Sequence, residues 1–347
     1  MKKTRILLLI VLVLSVGIAL VGCGDDKPTL NVYNWGDYID PEVINDFEKE
    51  FGVKVNYDTF ATNEDMYVSI AKGGTNYDVT FPSDYMIERM IAEDLLAKID
   101  KDKIPNLQYI GERYLNLDFD PNNEYSVPYM WGTVGIIYNK KMVDDVVDSW
   151  DILWNEKYQG QILMLDSQRE SIGVALKKLG YSMNTRNMDE LEAAKEELIK
   201  QKPLVYAYVG DEVKELMVGE EAALAVVWSG DAVAMIRENE NLAYAIPKEG
   251  SNIWFDNMVI PKNAPNKELA EEFINFMNRP EIAARNAEYI GYSTPNTQAL
   301  ELLPEELKNS DVAYPSDKAI ENTEIFLDVK DVLTIYDNIW LEVKSHR

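Results

Sequence analysis

Aromatic, acidic and hydroxyl side chains recur in this chain at the points where strand-like segments end. They are Trp35, Tyr38, Ser83, Tyr85, Glu170, Trp228, Trp254, Asp256 and Tyr292. In open α/β sheets, the carboxyl ends of the strands are where ligands bind. Aromatic faces attract cations and pack on methylene groups, while carboxylates accept charge-assisted hydrogen bonds from amines. This set of side chains therefore suits a flexible ligand that carries two ammonium groups.

The rings and the acids would contribute different parts of the binding energy for such a cation. Removing an ammonium group from water costs several kcal/mol unless the group is paired. A cation over an aromatic ring recovers roughly 0.5–2 kcal/mol, so rings alone do not hold it in a closed site. We therefore expect at least one carboxylate for each ammonium group, and Glu170 and Asp256 are the acids in the set.

Each of these residues, taken alone, has a simpler interpretation. Most tryptophans and tyrosines in a chain of this size are packing residues, and most acids are solvated. Four other tryptophans are assigned to packing on this ground, namely Trp131, Trp150, Trp154 and Trp340. Only the joint pattern at the strand ends distinguishes the candidate set.

The chain has one histidine and one cysteine, which limits the chemistry available to it. His346 is the penultimate residue and Cys23 lies near the start of the chain, so no Cys-His or Ser-His catalytic set can be assembled. We expect no cofactor and no metal, since a Cys/His zinc site is excluded on the same count and no loop of calcium-binding spacing is visible. A pair of carboxylates such as Glu170 and Asp256 could still act as the acid and base of a glycoside hydrolase.

Strand-like and helix-like segments alternate along the chain and would position these side chains. Asp40 and Pro41 begin a predicted helix as N-cap and first-turn residue, and Gly52 follows its end. The predicted strands are 30–33, 53–57, 77–81, 133–138, 161–165 and 222–228, with a strand pair around Tyr244 and Val259. The alternation predicts an α/β fold, and the chain length favours two lobes. Because no long linker is visible, we expect crossing strands to join the lobes.

The N-terminus has the pattern of a bacterial lipoprotein signal. Three cationic residues precede an uncharged apolar run over residues 6–21, which is followed by Gly22 and Cys23. The small residue before the cysteine resembles a lipobox, so we expect cleavage after residues 1–22 and a tether over residues 23–29 with a lipidated Cys23. A transmembrane anchor is the weaker alternative, because the run is short for a bilayer span of about 20 residues. The protein is expected outside the cytoplasm, tethered to the cell membrane.

Six short motifs occur in a fixed order along the chain. They are Tyr33-Asn34-Trp35-Gly36-Asp37-Tyr38, Phe81-Pro82-Ser83-Asp84-Tyr85, Val127-Pro128-Tyr129-Met130-Trp131-Gly132-Thr133, Trp228-Ser229-Gly230-Asp231, Trp254-Phe255-Asp256-Asn257 and Gly291-Tyr292-Ser293-Thr294-Pro295-Asn296. Together they resemble the spermidine/putrescine-binding proteins of bacterial ABC transporters, over essentially the whole chain beyond Cys23. The resemblance implies a type II periplasmic-binding-protein fold, in which two α/β lobes close over an extended polyamine.

The resemblance also implies how the chain is divided and which residues contact the ligand. Lobe 1 is expected over 30–132 and 256–300, and lobe 2 over 133–255 and 301–347. All nine candidate residues fall on ligand-contacting positions of the family when they are carried over motif by motif. Asp256 would hold an amine as an ionised acceptor, with Trp228 and Trp254 packed against the ligand.

The segment Asp166-Ser167-Gln168-Arg169-Glu170 departs from the family pattern. The best-known spermidine binder has acids at the positions equivalent to Ser167 and Glu170, so Glu170 fits the pattern and Ser167 departs from it. Asp166 lies one residue before that position. Loss of the acidic contact could favour a shorter diamine or shift the position of the amine. A contacting glutamine of that protein is also not evident, since Phe326 aligns with its place and Asp328 lies nearby.

The resemblance implies a function in transport. The protein would capture a polyamine reversibly, as a monomer without enzymatic activity, and deliver it to the permease subunits of an ABC transporter. The formal net charge of −26 repels nucleic acid and attracts small cations. Sugars remain an alternative solute because they also bind to aromatic faces and carboxylates, and a secreted glycoside hydrolase is the alternative from another class.

Overall fold

The computed structural model describes residues 27–74 and 76–346. The predicted signal, Cys23 and the first part of the predicted tether lie outside the described residues. Within the described ranges, no helix combines the length and the apolar character needed to cross a membrane.

Nine strands and twelve α-helices are present in the described residues. The strands are β1 (Thr29–Trp35), β2 (Lys54–Phe60), β3 (Val79–Thr80), β4 (Ser126–Asn139), β5 (Ile162–Leu165), β6 (Val205–Val209), β7 (Leu224–Trp228), β8 (Leu242–Ala245) and β9 (Ile253–Val259). The helices are α1 (Pro41–Phe51), α2 (Asn63–Ala71), α3 (Asp84–Ala92), α4 (Gln168–Lys178), α5 (Met188–Gln201), α6 (Val213–Val218), α7 (Ser229–Glu238), α8 (Lys267–Met277), α9 (Pro280–Ile290), α10 (Thr297–Leu302), α11 (Glu305–Lys308) and α12 (Leu333–Ser345). Short 3-10 helices occur at Lys101–Lys103, Pro105–Tyr109, Glu112–Tyr114, Trp150–Trp154, Glu156–Tyr158 and Lys202–Leu204.

Helix α1 shows how local sequence sets the element boundaries. The Asp40 carboxylate accepts a hydrogen bond of 2.9 Å from the backbone N–H of Glu42, which satisfies one of the free donors at the helix start. Pro41 occupies the first turn, where its missing N–H costs nothing. Gly52 ends the helix in the left-handed conformation, with φ of 66°. The sequence prediction of this helix is confirmed.

Strand β4 joins two groups of strands into one sheet. Its first half pairs antiparallel with β9, from Ser126 opposite Val259 to Thr133 opposite Ile253. Its second half pairs with β7 on one side and β8 on the other. The sheet order is β2-β1-β3-β9-β4-β7-β5-β6, with β8 beside β4. The α/β prediction is confirmed, and the two lobes have the type II arrangement that the resemblance implies.

Three strand predictions need correction. Strand β4 is longer than the predicted 133–138, although Pro128 lies in it, because a register shift between Pro128 and Met130 accommodates the proline. Strand β3 spans only Val79–Thr80 of the predicted 77–81. The predicted pairing of the strands around Tyr244 and Val259 is wrong, since both β8 and β9 pair with β4.

One large apolar cluster extends over both groups of strands, and a smaller one lies under the C-terminal helix. Phe47 of α1 packs edge-on against Phe273 and Phe276 of α8, with ring centroids 5.0 and 5.3 Å apart. At the other end, Tyr336 and Val343 of α12 are fully buried in a cluster with residues of α4 and α5. The C-terminal helix is therefore anchored beside the helices that follow β5. Trp131 and Trp150 are buried, as their assignment to packing predicts.

Gly132 gives a test of the contact between β4 and β9. A Cβ atom at this position would lie 2.5 Å from Cζ2 of Trp254 and 2.7 Å from Oγ of Ser229. We expect Gly132→Ala to lower the free energy of unfolding by about 1–3 kcal/mol, as overpacking does elsewhere, in urea denaturation followed by circular dichroism. Gly36→Ala is the control, because no atom lies within 4 Å of a Cβ there. Equal stabilities of the two variants would contradict the close packing of Trp254 on β4.

Candidate functional site

Asp256 of β9 lies at the centre of the candidate site. Its side chain is buried and accepts hydrogen bonds from the hydroxyls of Ser83, at 2.6 Å, and Tyr38, at 2.7 Å. Ser83 precedes the first turn of α3, and Tyr38 lies in the loop after β1. Asn63 fixes Ser83 through its side-chain amide, which donates to the hydroxyl and accepts from the backbone N–H, both at 3.1 Å. The ends of β1 and β3 thus converge on one carboxylate.

The electrostatics of Asp256 are those of a buried acid with neutral partners. Burial raises its pKa to about 6, and the hydrogen bonds from Ser83 and Tyr38 offset part of this effect. Within the described residues, no salt bridge joins Asp256 to a lysine or arginine. Burial, and then the charge of Asp256, raises the pKa of Tyr38, which therefore remains a hydroxyl donor. The carboxylate can still accept a cation that enters the site.

Three aromatic rings surround this carboxylate. Tyr292 packs edge-on against Tyr38, at 5.7 Å between centroids, and against Trp254, at 5.2 Å. Trp254 is nearly buried, and its indole N–H has no hydrogen-bond partner in the described residues. Gly230 at the start of α7 makes room for Tyr292, because a Cβ there would lie 1.9 Å from the ring. The rings form an apolar wall next to the Asp256 carboxylate.

Glu170 is a second half-buried acid, in the first turn of α4. It accepts a hydrogen bond from the hydroxyl of Ser167. Burial raises the pKa of Glu170, while the charge of Arg169 and a polar contact with Trp228 lower it in part. Trp228 is half-buried at the end of β7. Glu170, on the helix that follows β5, and Trp228, at the end of β7, therefore lie next to each other.

Tyr85 lies between Glu170 and the C-terminal part of the chain. Its hydroxyl donates to Glu64 at 3.1 Å, and its ring packs edge-on against Phe326 at 6.5 Å. Burial, followed by the charges of Glu64 and Glu170, raises the pKa of Tyr85. The guanidinium carbon of Arg169 is 5.8 Å from the Tyr85 ring.

Trp35 is held at the end of β1. Its indole N–H donates to the carbonyl of Phe81 at 2.8 Å, and its ring packs on Phe60 at 4.5 Å. Phe81 packs on Tyr129 at 4.9 Å, and Tyr129 packs on Tyr38 at 5.6 Å. Two intervening rings therefore connect Trp35 to Tyr38.

The segment that departs from the family pattern has other partners. Asp166 forms a salt bridge of 2.6 Å with Lys344 of α12, so its carboxylate is turned toward the C-terminal helix. Ser167 places its hydroxyl on Glu170 instead of adding an acid. Asp328 pairs with Arg89 at 2.6 Å. None of these groups replaces the acid that the resemblance implies at the position of Ser167.

Three further residues contact the candidate residues and were not predicted from the sequence. They are Asn63, which holds Ser83, Glu64, which accepts from Tyr85, and Asp231, which is buried near Tyr292 and pairs with Lys214 at 3.3 Å. Asp231 ends the motif that starts at Trp228, so the motif could have indicated it. Asn63 and Glu64 lie on α2, and no sequence signal connects that helix to the strand ends.

Comparison with known proteins gives the family. Residues 42–320 match the family model of bacterial extracellular solute-binding proteins. The chain is 40% identical to the spermidine/putrescine-binding periplasmic protein of Salmonella typhimurium, and the match covers 100% of both chains.

Solved structures agree with this match. A protein of Listeria monocytogenes assigned to a spermidine/putrescine ABC transporter is 50% identical, with a TM-score of 0.89, and the match covers 92% of this chain and 100% of that one. The TpPotD lipoprotein of Treponema pallidum is 31% identical, with a TM-score of 0.83, over 91% of this chain and 99% of that one. The family model, the full-length relative and the solved structures together show that the chain belongs to the bacterial extracellular solute-binding proteins.

Proposed function

We propose that this protein captures a polyamine outside the cytoplasm and delivers it to the permease subunits of an ABC transporter. The observation that carries the proposal is Asp256, a buried carboxylate that is surrounded by aromatic rings and bonded to neutral hydroxyls. An ammonium group is the natural partner of such an acid. The names of the relatives in Salmonella typhimurium and Listeria monocytogenes support the same class of solute.

The proposed mode of binding uses both lobes, with boundaries at 30–132 and 256–300 for lobe 1 and at 133–255 and 301–347 for lobe 2. Asp256, Ser83 and Tyr38 contact one ammonium group from lobe 1. Glu170 and Trp228 contact the other ammonium group from lobe 2. A ligand shifts a conformational equilibrium only by its different affinity for the two states, so contacts from both lobes favour the closed form.

Each side chain of the site has a separate role in this proposal. The ionised Asp256 compensates the charge of the ammonium group, and Ser83 and Tyr38 orient the carboxylate through their hydrogen bonds. Trp254 and Tyr292 face the methylene groups, while Tyr85 closes the side near Glu170. Trp35 completes the wall at the end of β1. Capture breaks no covalent bond, and we propose a monomeric binding protein without catalytic activity.

Substitution of Asp256 tests the proposal directly. We expect purified Asp256→Asn to bind putrescine and spermidine at least about 30-fold more weakly than the parent protein in isothermal titration calorimetry, because loss of one partner of a buried charge pair costs about 2–5 kcal/mol. Asp166→Asn is the matched control, since Asp166 pairs with Lys344 away from the site, and its affinity should stay within about twofold. Binding of maltose and of no polyamine would instead favour the sugar alternative.

We also propose that Cys23 carries a lipid that tethers the protein to the membrane. The sequence pattern around Cys23 and the lipoprotein named in Treponema pallidum support this part of the proposal. Cells fed an alkyne-labelled fatty acid should incorporate the label into the parent protein and not into Cys23→Ser, as measured by click chemistry on the purified protein. An unlabelled parent protein would contradict lipidation.

A further inference from the structure

A segment of the chain just before α12 passes between the two lobes beside the candidate site. It comprises residues 324–332 and is called the crossing segment here. Apart from an isolated β-bridge between Glu324 and Asn252, it forms no helix or strand. Its position is therefore set by contacts of individual side chains and backbone groups.

One set of contacts fixes the crossing segment to the helices that follow β5. The side-chain amide of Asn184, between α4 and α5, accepts from the backbone N–H of Leu327 and donates to the carbonyl of Ile325, both at 2.8 Å. Val329 is fully buried in a cluster with residues of α4, α5 and α12. The crossing segment is therefore attached to the lobe that carries β5.

Asp328 of the crossing segment reaches across to α3, which belongs to the other lobe. Its Oδ1 atom accepts hydrogen bonds from Nη2 of Arg89 at 2.6 Å and from Nε at 3.1 Å. Its backbone N–H donates to the carboxylate of Glu88 at 2.8 Å. The side chains of Arg89 and Asp328 are only 9% and 14% exposed, so solvent screens this ion pair little.

Lys330 makes a second ion pair with the same lobe. Its ammonium group contacts the carboxylate of Glu93, the residue that follows α3. The hydroxyl of Tyr67 on α2 donates to the other oxygen of Glu93 at 2.5 Å. The guanidinium carbon of Arg89 also lies 5.7 Å from the Tyr67 ring. Helices α2 and α3 therefore hold both partners of the crossing segment in place.

The two ion pairs lie next to the candidate site. Arg89 is four residues after Tyr85 on α3, so the two side chains lie on the same face of that helix. Phe326, two residues before Asp328, packs edge-on against the Tyr85 ring at 6.5 Å. Separation of the lobes at this point would move the crossing segment away from α3 and break both ion pairs.

We propose that Asp328 and Lys330 form a latch, which holds the lobes closed over a bound solute through the ion pairs with Arg89 and Glu93. The inference rests on the proposed capture of a polyamine between the lobes. Release of the solute requires opening, and the ion pairs stabilise only the closed arrangement. The latch therefore slows dissociation and leaves association, which begins from the open form, nearly unchanged.

Asp328→Asn tests the latch in the purified protein. The side chain keeps its size, but the buried guanidinium of Arg89 loses its counter-charge in the closed form. Putrescine is mixed with the protein at increasing concentration, and the change in tryptophan fluorescence is followed by stopped flow. The intercept of the observed rate gives dissociation, and the slope gives association. We expect dissociation to be at least about tenfold faster than in the parent protein, with association within about threefold.

Asp331→Asn is the matched control. Asp331 lies in the same segment and pairs with Arg186 at 3.1 Å, which is on the same lobe, so its dissociation rate should stay within about twofold of the parent rate. An unchanged dissociation rate in Asp328→Asn, or an equal increase in Asp331→Asn, would overturn the latch while polyamine capture stands. Failure of the parent protein to bind putrescine or spermidine would overturn the proposed function itself.

Lys330→Glu is the second arm and does not depend on a buried position, because the Lys330 side chain is 62% exposed. Repulsion between the new carboxylate and Glu93 should accelerate dissociation at least about threefold. The double variant Lys330→Glu/Glu93→Lys restores an attractive pair, and its dissociation rate should return to within about twofold of the parent rate. A double variant that releases putrescine as fast as Lys330→Glu would contradict the direct pairing across the lobes.

Discussion

The buried carboxylate of Asp256 is the constraint on which the arrangement of the site depends. Burial raises its pKa from 3.8 to about 6, a shift that corresponds to on the order of 3 kcal/mol against the ionised form in the folded protein. Because the folded-state pKa is above that of an unfolded aspartate, folding takes up a proton between about pH 4 and pH 6. The stability of the ligand-free protein therefore falls as the pH rises through this range, and an ammonium group that pairs with Asp256 would offset the cost.

The sheet topology explains how this charge comes to lie among rings at the junction of two lobes. Trp254 and Asp256 are two residues apart on β9, so both side chains point to the same face of the sheet. Strand β4 carries Gly132 opposite Trp254, and the missing side chain leaves space for the indole. Further along β4, Val134 lies opposite Trp228 of β7. Trp254 and Trp228 are therefore paired with positions two residues apart on β4. One long strand thus links the two sets of proposed ligand contacts.

Local patterns in the sequence predicted the elements and the residues at their ends, whereas non-local pairing had to come from the structure. The caps of α1, Asp40 and Gly52, act within a few residues of the helix, so their prediction succeeded. The pairing of β8 and β9 with β4 depends on contacts about a hundred residues apart, and the prediction that they pair with each other failed. The same reason applies to Asp166, whose partner Lys344 lies 178 positions away. The roles of the nine candidate residues as ligand contacts remain predictions.

The central claim is that Asp256 stays uncompensated until a polyamine binds. The most direct test is a carbon-13 NMR titration of the aspartate carboxyl groups in the free and the putrescine-saturated protein, with Asp256→Asn used to assign the resonance. The account predicts a pKa of about 6 in the free protein and a value at least about 2 pH units lower in the complex, because the ammonium group stabilises the ionised form. A pKa near 4 in the free protein, or a pKa that putrescine leaves unchanged, would contradict it.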